Sequence, residues 1–243
     1  MKLSVLVTTY NRMSTTERYL PTIIKRIGPI ECEFLIWDNY SKDDTLDWLC
    51  EIKKLYHIPI HIFGGSENIG MEAFNFMAEE AKGEFILKVD DDISVPSNFG
   101  SRLVEAYERV NEPKLAYLGW DMRWNRESFA TRSGMALYTS PHGRVAYLEK
   151  DEKVLIHYSP GRWMVNGVCR LSKRETFLSL GGHPKGFKYG VDHRVSIAAQ
   201  KAGYYIGYLC NREKIVHYGS KETVEYRTMK NLELTKQGAP INV

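Results

Sequence analysis

Cysteine is scarce in this sequence, and long apolar runs are missing from it. The four cysteines among 243 residues, Cys32, Cys50, Cys169 and Cys210, are widely spread with no CxxC pair. That spacing excludes a disulfide framework and a zinc ribbon and leaves them as reduced small hydrophobes. No window approaches eighteen uninterrupted apolar residues, so no transmembrane span is expected and any membrane contact would be peripheral. The opening MKLSVLVTTYNR carries an apolar stretch too short for a signal peptide and no small-residue cleavage site, so the expected location is cytoplasmic. Internal repeats and low-complexity segments are also missing, which excludes solenoids and arrays. With 43% hydrophobic and 26% charged residues, the chain is neither disordered, collagen-like nor a coiled coil. It can bury a sizeable core.

The net charge of +3 conceals an uneven distribution. Residues 1–119 hold 13 Lys/Arg against 19 Asp/Glu, residues 120–188 hold 12 against 6, and residues 189–243 hold 8 against 5. An acidic segment with clustered Asp can hold a divalent cation, and a basic one can receive an anionic partner.

The first 95 residues alternate strand and helix patterns. Short β-branched or apolar runs at Leu3–Thr8, Glu33–Trp37, Ile58–Phe63 and Glu84–Val89 predict buried parallel strands. Between them, helical spacing covers Ser14–Ile27, Asp43–Leu55 and Met71–Ala81. Such alternation predicts βαβ units and an α/β fold with a doubly wound, mostly parallel sheet. Ligands then bind beyond the carboxyl ends of the strands, where Thr8–Asn11, Asp38–Asn39 and Asp90–Asp92 fall. Further on, Asn98–Val110 and Arg194–Ala202 predict helices and Leu115–Trp120 and Tyr204–Leu209 strands. Residues 121–160 read as an irregular, β-rich insertion.

Val89-Asp90-Asp91-Asp92 is the strongest chemical signal. Three adjacent carboxylates repel one another by about 1 kcal/mol or more per pair unless something neutralises them. A hard divalent cation, Mg2+ or Mn2+, prefers these oxygen ligands together with phosphates.

The ordered set VTTYNR, DNYSKDD at 38–44, NIG at 68–70, VDDDISVP at 89–96, NGVCRLSKRETFLSLGGH at 166–183, VDHRVSIAAQKAGY at 191–204 and IVH at 215–217 resembles the family 2 glycosyltransferases of the GT-A fold. The resemblance implies an inverting enzyme of hexosyltransferase type that uses a UDP-sugar, with a metal bridging the donor's phosphates. It matches Thr8 and Tyr10 to the loop against base and ribose, and Asp38 to the carboxylate that reads the uracil N–H. Asp90 and Asp92 match the outer positions of the DxD motif. Asp90 and Asp91 are also expected beside the donor, and whether Asp91 or Asp92 is the principal ligand stays open. His217 matches the late histidine that completes the metal site. Asp192 falls on the second acidic position of the Glu-Asp motif, where a base takes the acceptor's hydroxyl proton; capping the following helix is a compatible role.

Two departures accompany the match. Val191 stands at the first acidic position, and Phe74 stands where the family usually has an Arg that would contact phosphate. Trp163, Asn166 and His183 are expected on the acceptor side, with Gly181-Gly182-His183 resembling a flexible loop. The implied organisation is a nucleotide-sugar-binding half at 1–97, an acceptor-binding and catalytic half at 98–220, and a polar tail at 221–243. The expected acceptor is a cell-surface or lipid-linked saccharide. An alternative is a hydroxylated base in DNA, with Arg123, Arg126, Arg132, Arg144, Arg162, Arg170, Lys173 and Arg174 as a phosphate track and Trp120, Trp124 and Trp163 nearby. A second alternative is a non-catalytic nucleotide-sugar-binding module.

Overall fold

The computed structural model describes residues 1–124, 143–149, 152–157, 164–187 and 190–218. Strands β1 (Leu3–Thr9), β2 (Cys32–Asp38), β3 (Ile60–Gly64) and β4 (Phe85–Asp90) form where apolar residues run together. Helices α1 (Met13–Lys25), α2 (Thr45–Ile52) and α3 (Ala73–Glu80) connect them. The four strands pair in parallel in the order β3-β2-β1-β4. Crossover helices cover both sheet faces, which explains strands that are apolar on both sides.

The chain continues through β5 (Ile93–Ser94), α4 (Phe99–Val110), β6 (Leu115–Trp120), β7 (Met122–Trp124), β8 (Gly143–Glu149) and β9 (Glu152–His157). It ends in β10 (Cys169–Lys173), α5 (Arg174–Ser179), α6 (Val191–Lys201), β11 (Tyr205–Cys210) and β12 (Ile215–His217). Nine strands form one mixed sheet in the order β3-β2-β1-β4-β10-β6-β11-β9-β8. Strand β10 lies antiparallel between β4 and β6, so the sheet runs unbroken from the first half of the sequence into the second. One face packs Leu3, Val5, Val7, Leu87 and Leu171 under α1, α2 and α4. The other packs Leu6, Leu35 and Ile86 under α3, α5 and α6.

Two features position the site. First, register aligns Thr8 with Trp37 and Asp90, and Thr9 with Asp38, so the polar ends of β1, β2 and β4 share one edge. Second, β5, β12 and β7 form a separate three-stranded sheet in which His217 pairs with Ile93. The Tyr218 amide donates to the Asp92 carbonyl at 3.0 Å. Residues more than 120 positions apart are thereby brought together.

The structure revises the sequence expectation in two places. Within the described part of 121–160, β8 and β9 pair with a register shift between Tyr147 and Glu149 and extend the edge of the main sheet, more ordered pairing than the sequence pattern suggests. Helix α6 starts at Val191, three residues before the expected start, which puts Asp192 in its first turn. Gly190, at φ 70°, takes the N-cap position, a backbone conformation that glycine adopts at no steric cost. Asp192 therefore does not cap the helix, and its carboxylate faces elsewhere. Trp163 and residues 221–243 lie outside the described residues. Among the described residues, no helix is long and apolar enough to cross a membrane.

Leu87 is fully buried in β4, between Val5 and Leu171, two residues before the site begins at Val89-Asp90. Truncation there removes transfer free energy and leaves a cavity. Leu87→Ala is expected to cost about 2–5 kcal/mol, read as a lowered urea midpoint at unchanged slope. A loss under about 1 kcal/mol would contradict this packing.

Candidate active site

Asp90 ends β4, Asp92 lies in the turn before β5, and His217 ends β12. One ligand atom from each lies within 4.8 Å of the other two. His217 Nε2 sits 3.0 Å from Asp92 Oδ1. Burial pushes the imidazolium pKa down, but the hydrogen bond to Asp92 and the charges of Asp92 and Asp90 outweigh it, leaving His217 above its ordinary value. Burial likewise pushes the Asp92 carboxyl up, and His217, Arg12 and Lys88 bring it below its ordinary value. The donor set of two carboxylates and one imidazole fits Mn2+ or Mg2+.

Asp91 is turned away from this group. Expected beside the donor, its carboxylate is buried and accepts from Arg12 Nη1 at 2.8 Å and Thr16 Oγ1 at 3.0 Å. Burial pushes its pKa up against the opposing charge of Arg12. Arg12 also reaches Asp92 Oδ2 at 3.3 Å. A backbone that points Asp90 and Asp92 to one side leaves Asp91 facing α1, and Arg12 neutralises it there. The cause is local: the chain turns at Asp91-Asp92 between β4 and β5, and that turn brings Asp91 to Arg12 and Thr16.

Asp38 is buried at the end of β2, where it accepts from the Ser41 hydroxyl at 2.5 Å and the Ser41 amide at 2.9 Å. Asn11 and Tyr40, both at positive φ, shape the loops after β1 and β2. Asn11 ties them together by donating its amide to Ser41 Oγ at 2.9 Å and accepting from the Lys42 amide at 2.7 Å. A cavity of about 960 Å³ opens here, lined by Asp38, Tyr40, Ser41, Phe63 and Gly64 among others. Thr8 and Tyr10, half-buried, flank the same strand ends.

Across the sheet edge, Asp192 is about one-third exposed and rests against Gly167, where any Cβ would collide with its Oδ1. Gly167 accepts a hydrogen bond from Lys88, whose ammonium also pairs with Asp90. A single buried lysine thus touches both the carboxylate of one side and the floor under the carboxylate of the other. Asn166 is half-buried beside them, and its amide donates to the Tyr208 hydroxyl at 2.8 Å.

His183, expected on the acceptor side, is buried instead of open to the cleft. Its side chain is almost wholly buried, its Nε2 lies 2.6 Å from Arg170 Nη2, and its ring packs on Phe74 and Phe177. Asn75 holds its backbone on both sides, accepting from the amide at 2.8 Å and donating to the carbonyl at 2.9 Å. The loop expected to be flexible is fastened here to α3. Phe74 forms part of that floor, with the Lys88 ammonium 5.1 Å from its ring centre.

The phosphate track loses several members. Arg170 is 3% exposed, and Arg174 donates to the Ala78 and Glu79 carbonyls at the end of α3. Trp120 is fully buried, with its indole N–H on the Glu213 carbonyl. Arg126, Arg132, Arg162 and Trp163 lie outside the described residues, and the side chains of Arg123, Trp124 and Arg144 are outside them too.

Arg12 and Lys88 belong to the site without having been expected in it from sequence, and Arg170, expected in a phosphate track, lies buried beneath it instead. A signal for Lys88 does exist: a lysine inside the apolar run FILKV has to find an anion.

With this geometry in view, the family is identified. The chain belongs to glycosyl transferase family 2, whose model matches residues 4–166. The match ends before Arg170, Asp192 and His217. A curated relative from Methanococcus voltae is 27% identical over 143 residues, covering 57% of this chain and 44% of its own. It is named dolichyl N-acetyl-alpha-D-glucosaminyl phosphate 3-beta-D-2,3-diacetamido-2,3-dideoxy-beta-D-glucuronosyltransferase. Among solved structures, the mannosyltransferase PcManGT from Pyrobaculum calidifontis with GDP-Man and Mn2+ superposes at a TM-score of 0.71 and 18% identity. That likeness covers all of this chain and 65% of PcManGT. S. aureus TarS 1-349 with UDP-GlcNAc gives 0.65 at 18% identity, covering all of this chain and 68% of that one. At such identity the likenesses speak to the fold: this is a GT-A architecture. The chain spans less than half the length of the curated relative.

Burial, followed by the charges of Arg170 and Lys88, holds the His183 pKa well below 6.5. The folded protein therefore resists the proton that the unfolded chain accepts. Stability from this site is fully present above pH 6.5 and falls as the pH drops below it towards the depressed folded value. The expected slope approaches about 1.4 kcal/mol per pH unit. Urea titrations from pH 7 to 5 should show it as the difference between the wild type and His183→Gln, which cannot titrate. Parallel curves for the two proteins would refute it.

Proposed function

We propose that the chain is an inverting, metal-dependent glycosyltransferase that moves a sugar from a UDP-sugar to a hydroxyl of a saccharide acceptor. Asp90, Asp92 and His217 would hold Mn2+ or Mg2+, which when bound supplies positive charge to the leaving diphosphate. The observation that carries the reading is the meeting of two groups at Gly167. Its carbonyl accepts from Lys88, which pairs with Asp90 of the Asp90–Asp92–His217 group, and the partly exposed carboxylate of Asp192 rests against it. A reacting anomeric carbon between them meets leaving-group stabilisation on one face and a base on the other.

The chemistry balances with one base. The acceptor oxygen bonds to the anomeric carbon while its proton passes to Asp192, and the bond from that carbon to the diphosphate oxygen breaks with its electron pair on the oxygen. No second nucleophile is needed, and the configuration inverts. Asp38, which lines the 960 Å³ cavity and is held through Ser41, would accept from a nucleobase N–H. Uracil offers that donor. The cell-surface or lipid-linked character of the acceptor rests on family resemblance and on the dolichyl-phosphate acceptor named for the Methanococcus voltae relative.

Three sets of measurements test the reading. With UDP-sugar and Mn2+, Asp192→Asn is expected to retain UDP binding and lose transfer by about two to four orders of magnitude. Asp92→Ala and His217→Ala should each weaken metal-dependent UDP binding. Full activity in excess EDTA, or unchanged UDP binding in both variants, would sink the metal assignment. Thermal-shift titration with Mn2+ is expected to rank UDP above GDP and ADP, because a ligand selective for the folded state stabilises by mass action. Equal shifts for all three would remove Asp38 as the reader of the base.

A further inference from the structure

Lys88 on β4 and Arg170 on β10 are directly opposed in the sheet register. Like charges in that arrangement repel, and both side chains are buried, at 7% and 2% exposure. Each cation is committed to a different side of the cleft. Lys88 pairs with Asp90 and with the Gly167 carbonyl. Arg170 points its Nη1 at Asp192 Oδ1, 3.6 Å away, and that Nη1 is buried without a hydrogen-bond partner.

The rest of Arg170 is immobilised. Its Nη2 lies 2.6 Å from His183 Nε2, which accepts because the buried imidazole is neutral. The guanidinium lies 5.0 Å from the Tyr117 ring centre. His183 is itself locked by Phe74, Phe177 and the two hydrogen bonds of Asn75. A planar guanidinium held at one end presents its other N–H groups in a fixed direction.

Resting on the reading of Asp192 as the base, we propose that Arg170 is a positioning residue that fixes the Asp192 carboxylate over Gly167, with His183 as the anchor that aims it. Among the described residues, the other charged groups around Asp192 are Lys88, one residue away through Gly167, and its helix neighbours His193 and Arg194, both exposed. Neither neighbour is buried against the sheet, so among the described residues Arg170 is the cation that faces Asp192 from below.

The test is a double-mutant cycle on kcat with Arg170→Met and Asp192→Asn, using UDP-sugar, Mn2+ and a working saccharide acceptor. Arg170→Met is expected to lower kcat about 10- to 100-fold, the scale of a misplaced reacting group, with donor KM within about twofold because the cation-binding side is untouched. In the Asp192→Asn background the same substitution should cost less than about twofold, since the carboxylate it positions is already gone. Arg170→Lys, which keeps charge but loses the fork, should fall between the wild type and Arg170→Met. If Arg170→Met does not melt cooperatively, the cycle is run with Arg170→Lys. Equal losses in both backgrounds, or a wild-type kcat in Arg170→Met, would overturn the proposal while leaving Asp192 as the base. Near-normal transfer by Asp192→Asn alone would instead overturn the base assignment on which the proposal rests.

Discussion

The repulsion among Asp90, Asp91 and Asp92 is the constraint around which this site is built. Three carboxylates at the end of one buried strand cannot coexist in a low-dielectric edge without compensating charge. The protein draws the compensation from three separate places. Arg12 arrives from the loop after β1, Lys88 from β4 itself, and His217 from the far end of the chain on β12. Arg12 pairs with Asp91 and also reaches Asp92, Lys88 pairs with Asp90, and His217 meets Asp92. Asp91 becomes a buried tie to α1, and Asp90 and Asp92 are left facing the cleft. The loop, the small sheet and the end of β1 are all held by the same electrostatic requirement.

The first half of the fold is legible in the sequence because its information is local. Strands that are apolar on both faces and helices with a clear stripe each declare themselves within a dozen residues. The polar residues at their ends then fall on one edge as a geometric consequence of parallel pairing. The second half depends on pairings that local pattern does not carry. Strand β10 enters antiparallel between β4 and β6, and β5 is two residues long. A two-residue strand has no period to detect. Its significance comes only from β12, which it meets from across the sequence to place His217.

The same division holds for the candidate site. Asp38, Asp90, Asp92, Asp192 and His217 are readable because each stands at an element end in a recognisable motif. Which of three adjacent aspartates turns inward is not readable, because it depends on which one meets Arg12. A Gly-Gly-His pattern suggests an acceptor-side role for His183, yet packing against Phe74, Phe177 and Asn75 buries it. Glycines at 181 and 182 supply turn geometry there, with φ of 80° and 65°. Lys88 and Arg170 carry a subtler signal. Charges in the middle of short apolar strands are costly unless paired, so a lysine or arginine at such a position implies a partner even where the sequence does not say which.

That cost bears on how a base can be both held and free to act. As the base proposed above, Asp192 would have to remain partly in solvent for an acceptor to approach it, and a side chain in solvent ordinarily keeps its rotamer freedom. Fixing it from above would block the acceptor. Fixing it from the floor requires a donor beneath the cleft, and a donor there must be buried. A buried cation in turn needs an acceptor that adds no competing charge, and a neutral imidazole meets that need where a carboxylate would pull the guanidinium away from Asp192. The clamped His183, the glycine at 167 that lets Asp192 descend onto the sheet, and the apolar Phe74 beneath them follow from one another as parts of a single solution. Phe74, which stands where the resemblance implies an arginine, thus packs on His183 on one side and lies under the Lys88 ammonium on the other.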